Sequence, residues 1–90
     1  MEEATTKVTI TNRLGLHARP AMALVDAANR FSSNIMVAKG QQSVDGKSIM
    51  QVMMLAATQG TELTITATGP DAESAVQYLR ELVDREFDEN

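Results

Sequence analysis

The sequence has no cysteine and no tryptophan, and among its 90 residues only one tyrosine, two phenylalanines, one histidine and two prolines. Without cysteine neither a disulfide framework nor a thiolate site can form, which fits a reducing compartment. So few aromatic rings cannot build a base-stacking platform. Cations are scarce as well: eight Lys and Arg against twelve Asp and Glu leave a net charge of −4, the wrong sign for binding nucleic acid. One histidine with no cysteine leaves only carboxylates as metal partners, and no second histidine exists to relay a proton in hydrolysis. No apolar run approaches the roughly 20 residues of a membrane helix. The opening M-E-E-A-T-T-K lacks the apolar stretch of a secretory signal. The expectation is a soluble, cytoplasmic single domain over residues 1 to 90, with no membrane or nucleic-acid partner, no metal and no cofactor.

What is present suffices for one modest core: 43% of residues are hydrophobic and 22% charged, an ordinary globular balance. K-V-T-I-T-N (Lys7 to Asn12) alternates apolar and polar residues and predicts a half-buried strand. From Ala18 the period changes: Ala21, Leu24, Val25, Ala28 and Phe31 fall at helical spacing, with Pro20 tolerated in the first turn. N-I-M-V-A-K (Asn34 to Lys39) predicts a second strand. Gly40 marks a turn into a short strand through Val44, which Gly46 stops. The next helix is expected from about Ser48 to Ala57, opened by a capping box of Ser48 and Gln51 and closed by Gly60. Leu63, Ile65 and Ala67 alternate with threonines in a fourth strand. Asp71 is expected to cap a last helix whose stripe is Ala72, Val76, Leu79, Val83 and Phe87, ending in a frayed tail D-R-E-F-D-E-N. The order is β-α-β-β-α-β-α. Because the strands alternate, one sheet face should meet solvent, giving an α+β fold with helices on one face of a four-stranded, mostly antiparallel sheet.

The single histidine lies in T-N-R-L-G-L-H-A-R-P, between the first strand and the first helix. His17 therefore stands at a helix N-terminus, where backbone N–H groups lack intrahelical partners and the macrodipole is positive. Such an end favours an anion such as phosphate and disfavours a protonated imidazole. A neutral imidazole is a nucleophile. Arg19 adds a donor fork suited to phosphate oxygens, and Pro20 fixes the backbone of the turn. On residues alone two readings stand: an ordinary helix-start histidine, or a phosphoryl acceptor.

G-L-H-A-R-P-A (Gly15 to Ala21), followed about thirty residues later by G-K-S-I-M-Q-V-M-M-L (Gly46 to Leu55), resembles the HPr family of histidine-containing phosphocarriers of the bacterial phosphoenolpyruvate-dependent sugar phosphotransferase system. The resemblance spans the whole chain and implies the family's open-faced sandwich. It further implies a stoichiometric carrier, not an enzyme. His17 would take a phosphoryl group from enzyme I, on Nδ1, and pass it to enzyme IIA, with Arg19 steadying the phosphoryl oxygens. By the same resemblance Ser48 aligns with the serine modified by an HPr kinase/phosphorylase, partner contact falls on Ala21, Lys47, Ile49, Met50, Met53 and Met54, and the protein acts as a monomer.

Each of these positions also has a plainer reading. Ser48 already has work as a helix cap, although a phosphate there would meet the positive end of the helix without melting it. I-M-Q-V-M-M-L is apolar almost all round, unlike a surface helix. Ile49, Val52 and Ala56 can fill the core, leaving Met50 and Met54 on another face and Met53 at the boundary. Flexible methionines there suit a surface that binds several partners. The Gly46-Lys47-Ser48 triplet looks like the end of a nucleotide-binding G-x-x-x-x-G-K-[ST] loop. Position 41 is Gln41, however, and Gly40 comes one residue too early, so intrinsic nucleotide binding is rejected. Two rivals to the sugar carrier remain: a nitrogen-branch or regulatory paralogue, which the tail E-F-D-E-N suggests, and an anion-binding module that is never phosphorylated.

Overall fold

The computed structural model describes residues 2 to 88. Four strands and three helices follow in the expected order: β1 (Glu3–Thr9), α1 (Ala18–Ala28), β2 (Asn34–Lys39), β3 (Gln42–Asp45), α2 (Ile49–Met54), β4 (Glu62–Thr68) and α3 (Ala72–Asp84). The sheet order is β1-β4-β2-β3, and every neighbouring pair is antiparallel. Central β4 pairs β1 from Glu3↔Thr68 to Thr9↔Glu62 and β2 from Asn34↔Thr68 to Ala38↔Thr64.

Alternation decides which face is covered. Ala4, Val8, Ile35, Val37, Val44, Leu63, Ile65 and Ala67 are buried, and α3 packs over β1 and β4 with α1 beside it. The opposite face carries Thr5, Lys7, Thr9, Met36, Thr64, Thr66 and Thr68, exposed or half-buried. This is the open-faced arrangement expected.

The structure corrects several boundaries. The first strand begins at Glu3 and ends at Thr9 because the inward positions Ala4 and Thr6 continue the alternation with small or polar side chains that mute the apolar signal. Helix α2 stops at Met54, short of Ala57, and Gly60 is not its cap. Leu55, fully buried, takes the core position expected of Ala56, which instead is exposed in a left-handed conformation at φ 49°. The Lys39 ammonium donates to the Leu55 carbonyl at 2.7 Å, placing a cation at the helix exit. The tail is not frayed through Asp88. Glu86, Phe87 and Asp88 form a left-handed turn with φ near 56–59°, and this turn returns Phe87 to the core. Residues 89 and 90 of the expected frayed tail lie outside the described residues.

Asp71 stands at the N-cap position of α3, yet its side chain does not bond that helix. Its carboxylate accepts from Ser32 N at 2.9 Å, Ser32 Oγ at 3.3 Å, Ser33 N at 2.9 Å and the Ser33 hydroxyl. It thus ties the start of α3 to the turn entering β2. These donors, the Ser33 hydroxyl foremost, lower the Asp71 carboxyl from 3.8 to about 2. A carboxyl depressed in the folded state contributes stability above its unfolded value and loses it as pH falls through its folded value. Thermal unfolding followed by circular dichroism should therefore show stability falling from about pH 4 to about pH 2. Asp71→Asn should be less stable at neutral pH and flatter across that window. An equally steep acid limb in the variant would show that other carboxylates carry it.

Candidate functional site

The loop joining β1 to α1 is built on two constraints. Gly15 N–H donates to the Asn12 carbonyl at 2.9 Å, closing a turn in which Gly15 takes φ +70°. The next residue, Leu16, is buried and donates its N–H to the Ala57 carbonyl at 2.8 Å. A Cβ on Gly15 would stand 2.6 Å from that carbonyl oxygen and 2.9 Å from Thr58 Cα. Only glycine permits both the sign of φ and the approach.

A second tie comes from the C-terminal turn. Asn12, almost fully buried, donates Nδ2 to the Glu86 carbonyl at 3.1 Å, and the Thr11 hydroxyl donates to Glu86 Oε2 at 3.1 Å. Gln59 Nε2 reaches the Thr11 carbonyl at 3.1 Å. The base of the loop is thus held from the β4 side and from the chain's end. Thr11, Asn12, Gln59 and Glu86 are not singled out by the sequence, since nothing local signals pairing across 48 to 75 positions.

Held in this way, the chain delivers His17 as the N-cap of α1, with φ −75° and ψ −173°; its side chain makes no capping hydrogen bond. The ring is half-buried and Nε2 is the nitrogen withdrawn from solvent. The His17 carbonyl accepts the first helical bond, from Ala21 N at 3.0 Å. Pro20 has no N–H to leave over, so Ala18 and Arg19 carry amides that the helix itself does not use. Arg19 is exposed two residues further on, while Pro20 and Ala21 are buried. Full burial of Ala21 corrects its place on the docking surface: it supports the site and presents no contact area. Among the described residues no group of three His, Cys, Asp or Glu could hold a metal.

Helix α2 packs on α1. Ser48 caps it, Oγ accepting from Gln51 N at 3.3 Å. The reciprocal half of the capping box goes elsewhere, because Gln51 Oε1 accepts from Asp45 N at 2.9 Å. Lys47 folds its ammonium back onto the Phe31 carbonyl at 2.7 Å, and Asn29 Nδ2 ties the Lys47 carbonyl to the end of α1 at 3.2 Å. Ile49 is half-buried against the core. Met50, Met53 and Met54 are exposed at 75%, 41% and 66%. Two further exposed apolar side chains flank His17 in the chain: Leu14 at 70% and Met22 at 55%. Sequence periodicity alone had not marked either as surface.

The fold and the histidine at a helix start together define a small open-faced α+β sandwich domain. The family model described as the PTS HPr component phosphorylation site matches residues 4–85. The chain is 46% identical over 84 residues to the phosphocarrier protein HPr of Pseudomonas aeruginosa, covering 92% of this chain and 93% of that one. It is 42% identical over 80 residues to the HPr-like protein Crh of Bacillus subtilis, covering 89% and 94%. The crystal structure of an HPr from Thermoanaerobacter tengcongensis superposes with a TM-score of 0.90 at 42% identity, over 100% of this chain and 99% of that one. A second structure from that organism, with a TM-score of 0.78, is described as an HPr dimer. The chain belongs to the HPr family of phosphotransferase-system phosphocarrier proteins.

Gly15→Ala should test the loop. The clash with the Ala57 carbonyl and the positive φ together should cost about 2–4 kcal/mol, read as a lower urea midpoint. The His17 ring resonances should shift in the folded fraction. An unshifted ring in a fully stable variant would show that the close approach does not set its position.

Proposed function

We propose that the protein is one phosphocarrier domain, residues 1 to 90, in which His17 accepts a phosphoryl group from enzyme I and passes it to an enzyme IIA. The observation that carries this is the placement of His17: a ring not used for capping, at the anion-receptive start of an eleven-residue helix whose second residue is Arg19. Nδ1 is taken as the attacking nitrogen, as in the family's phosphocarriers, and the burial of Nε2 agrees with that choice. The Nδ1 lone pair attacks phosphorus in line as the donor's phosphorus–nitrogen bond breaks. The Arg19 guanidinium and the first-turn amides then face the charge spread over the equatorial oxygens. The protein contributes position and electrostatics, and each loaded molecule delivers one group, so it is a stoichiometric relay in place of a turnover enzyme.

Partner contact is assigned to the exposed side of α2, Met50, Met53 and Met54, with Ile49 and Lys47 at its inner edge. Cytoplasmic operation follows from the partners. No helix among the described residues is long and apolar enough to cross a membrane. A monomer is the working form of such a relay, since both partners must reach the same face. The relationship to an HPr-like protein supports a second reading, a regulator that acts by binding. The phenylalanine tail does not favour it, because Phe87 is a core residue.

Incubation with enzyme I, magnesium and phosphoenolpyruvate should add one phosphoryl by intact mass, lost in acid and absent in His17→Ala. NMR should place it on Nδ1, and Arg19→Ala should slow transfer by about a hundredfold. No gain with a cognate enzyme I would hand the site to the binding-module reading.

Ser48 is proposed as a regulatory acceptor. A phosphate there meets the start of α2 and adds about two negative charges beside the docking side. An HPr kinase and ATP should label wild type and leave Ser48→Ala unlabelled, while loss of the cap alone should cost that variant about 1 kcal/mol. Label that persists in Ser48→Ala would remove Ser48 from the regulatory role.

A further inference from the structure

The protein sorts its apolar side chains by chemistry. The fully buried large residues are Ile10, Leu24, Ile35, Leu55, Leu63, Ile65 and Leu79 with their valine neighbours, and no methionine is among them. At the surface the sorting reverses. Apart from Leu14, every large exposed hydrophobic among the described residues is a methionine: Met22, Met36, Met50, Met53 and Met54. Methionine ordinarily fills irregular gaps inside cores, and here that use is absent among the described residues. With no cysteine in the chain, thioethers are its only oxidisable sulfur.

Three of these thioethers are concentrated on α2. Met50, Met53 and Met54 stand at i, i+3 and i+4, which places them on one side of the helix. Val52 is buried on the other side and Ile49 half-buried. The exit of the same helix leads within three residues to the Ala57 carbonyl that holds Leu16, so the helix that carries the methionines ends against the His17 loop. Met36 projects from the open face of the sheet, away from the helices.

We infer that Met50, Met53 and Met54 form an oxidation-sensitive docking face, on which hydroperoxide-class oxidants write a reversible off-signal for phosphoryl transfer. The inference rests on the carrier reading above. In the step, a sulfur lone pair attacks one peroxide oxygen and the O–O bond breaks. The other oxygen leaves as hydroxide, or as alkoxide from an organic peroxide, and takes up a proton. Sulfur is oxidised by two electrons and the peroxide reduced to water or alcohol. The reverse step consumes a dithiol, which becomes a disulfide as water is released; the chain has no thiol, so that reductant comes from outside. A sulfoxide is polar and chiral where a flexible apolar contact was needed. Because these side chains lie outside the core, the fold and the His17 chemistry persist while partner affinity falls.

The test is to oxidise the full chain with hydrogen peroxide, remove the oxidant, locate the added oxygens by peptide mass spectrometry, and measure phosphoryl uptake from phosphorylated enzyme I. The expected result is a KM raised about tenfold with kcat changed by less than about twofold, as for loss of a docking hot spot. Methionine sulfoxide reductase with a dithiol should restore KM. The triple variant Met50→Leu, Met53→Leu, Met54→Leu, compared with its own untreated form, should show no rise, whereas Met36→Leu should keep the full response. An unchanged KM after complete oxidation of α2 overturns the inference alone, as does a rise that survives in the triple variant. An untreated protein that takes no phosphoryl group overturns the carrier reading and this inference with it.

Discussion

The backbone hydrogen bond from Leu16 N–H to the Ala57 carbonyl determines where His17 can be, and much of the remaining architecture serves to make that bond possible. Its net worth in isolation is about 1 kcal/mol, too little to hold a loop by itself. Its importance is geometric, because it brings the residue before His17 against the exit of α2 at 2.8 Å. For the carbonyl to be there, α2 must end at Met54 and the chain must reverse through Ala56 at φ 49°. For the loop to come close enough, residue 15 must lack a Cβ. A left-handed alanine costs about 1–2 kcal/mol. Burial of Leu55 and Leu16 on either side of the contact offsets it.

The same pattern of strain held by packing recurs at the chain's end. Three successive non-glycine residues, Glu86 to Asp88, occupy the left-handed region, a conformation that is uncommon outside glycine and that Glu86 and Phe87 do not favour. Phe87 is buried by it, and the Glu86 carbonyl is turned towards Asn12. The strain is therefore coupled to the base of the His17 loop. Backbone in sparsely populated regions persists where the surroundings over-determine it, and here both instances border the candidate site.

These two places are also where reading the sequence falls short, for the same reason. Asn34–Lys39 and the start of α1 at Ala18 are legible to the residue, because strand alternation and a first-turn proline are local signals. The place of His17 at the start of α1, and the cap at Ser48, are legible because spacing alone produces them. A left-handed turn announces itself through glycine or asparagine. Ala56, Glu86 and Phe87 carry no such sign, so the second helix is expected to run on through Ala56 and the tail to fray. Asp71 is misjudged differently: a residue of ideal capping type at the right position gives its carboxylate to Ser32 and Ser33, some 38 residues away in the chain. Ala21 is part of the site motif and at helical spacing for burial at once; the structure resolves that overlap in favour of burial.

The electrostatics of the proposed relay follow from two proposed acceptors, His17 and Ser48, that stand at two helix starts. A chain of net charge −4 repels further anions at long range, so each phosphate needs local compensation. At His17 this comes from Arg19 and the first turn of an eleven-residue helix. At Ser48 the helix has six residues and the nearest lysine, Lys47, is already committed to the Phe31 carbonyl. On the proposed reading a phosphoryl on His17 would be compensated locally, and one on Ser48 would present its charge outward. The first arrangement suits a group that must be handed on, the second a group whose purpose is to keep a partner away. Since α2 supplies both the Ser48 cap and the methionine side, charge added at its start and polarity added along its face would act on the same contact.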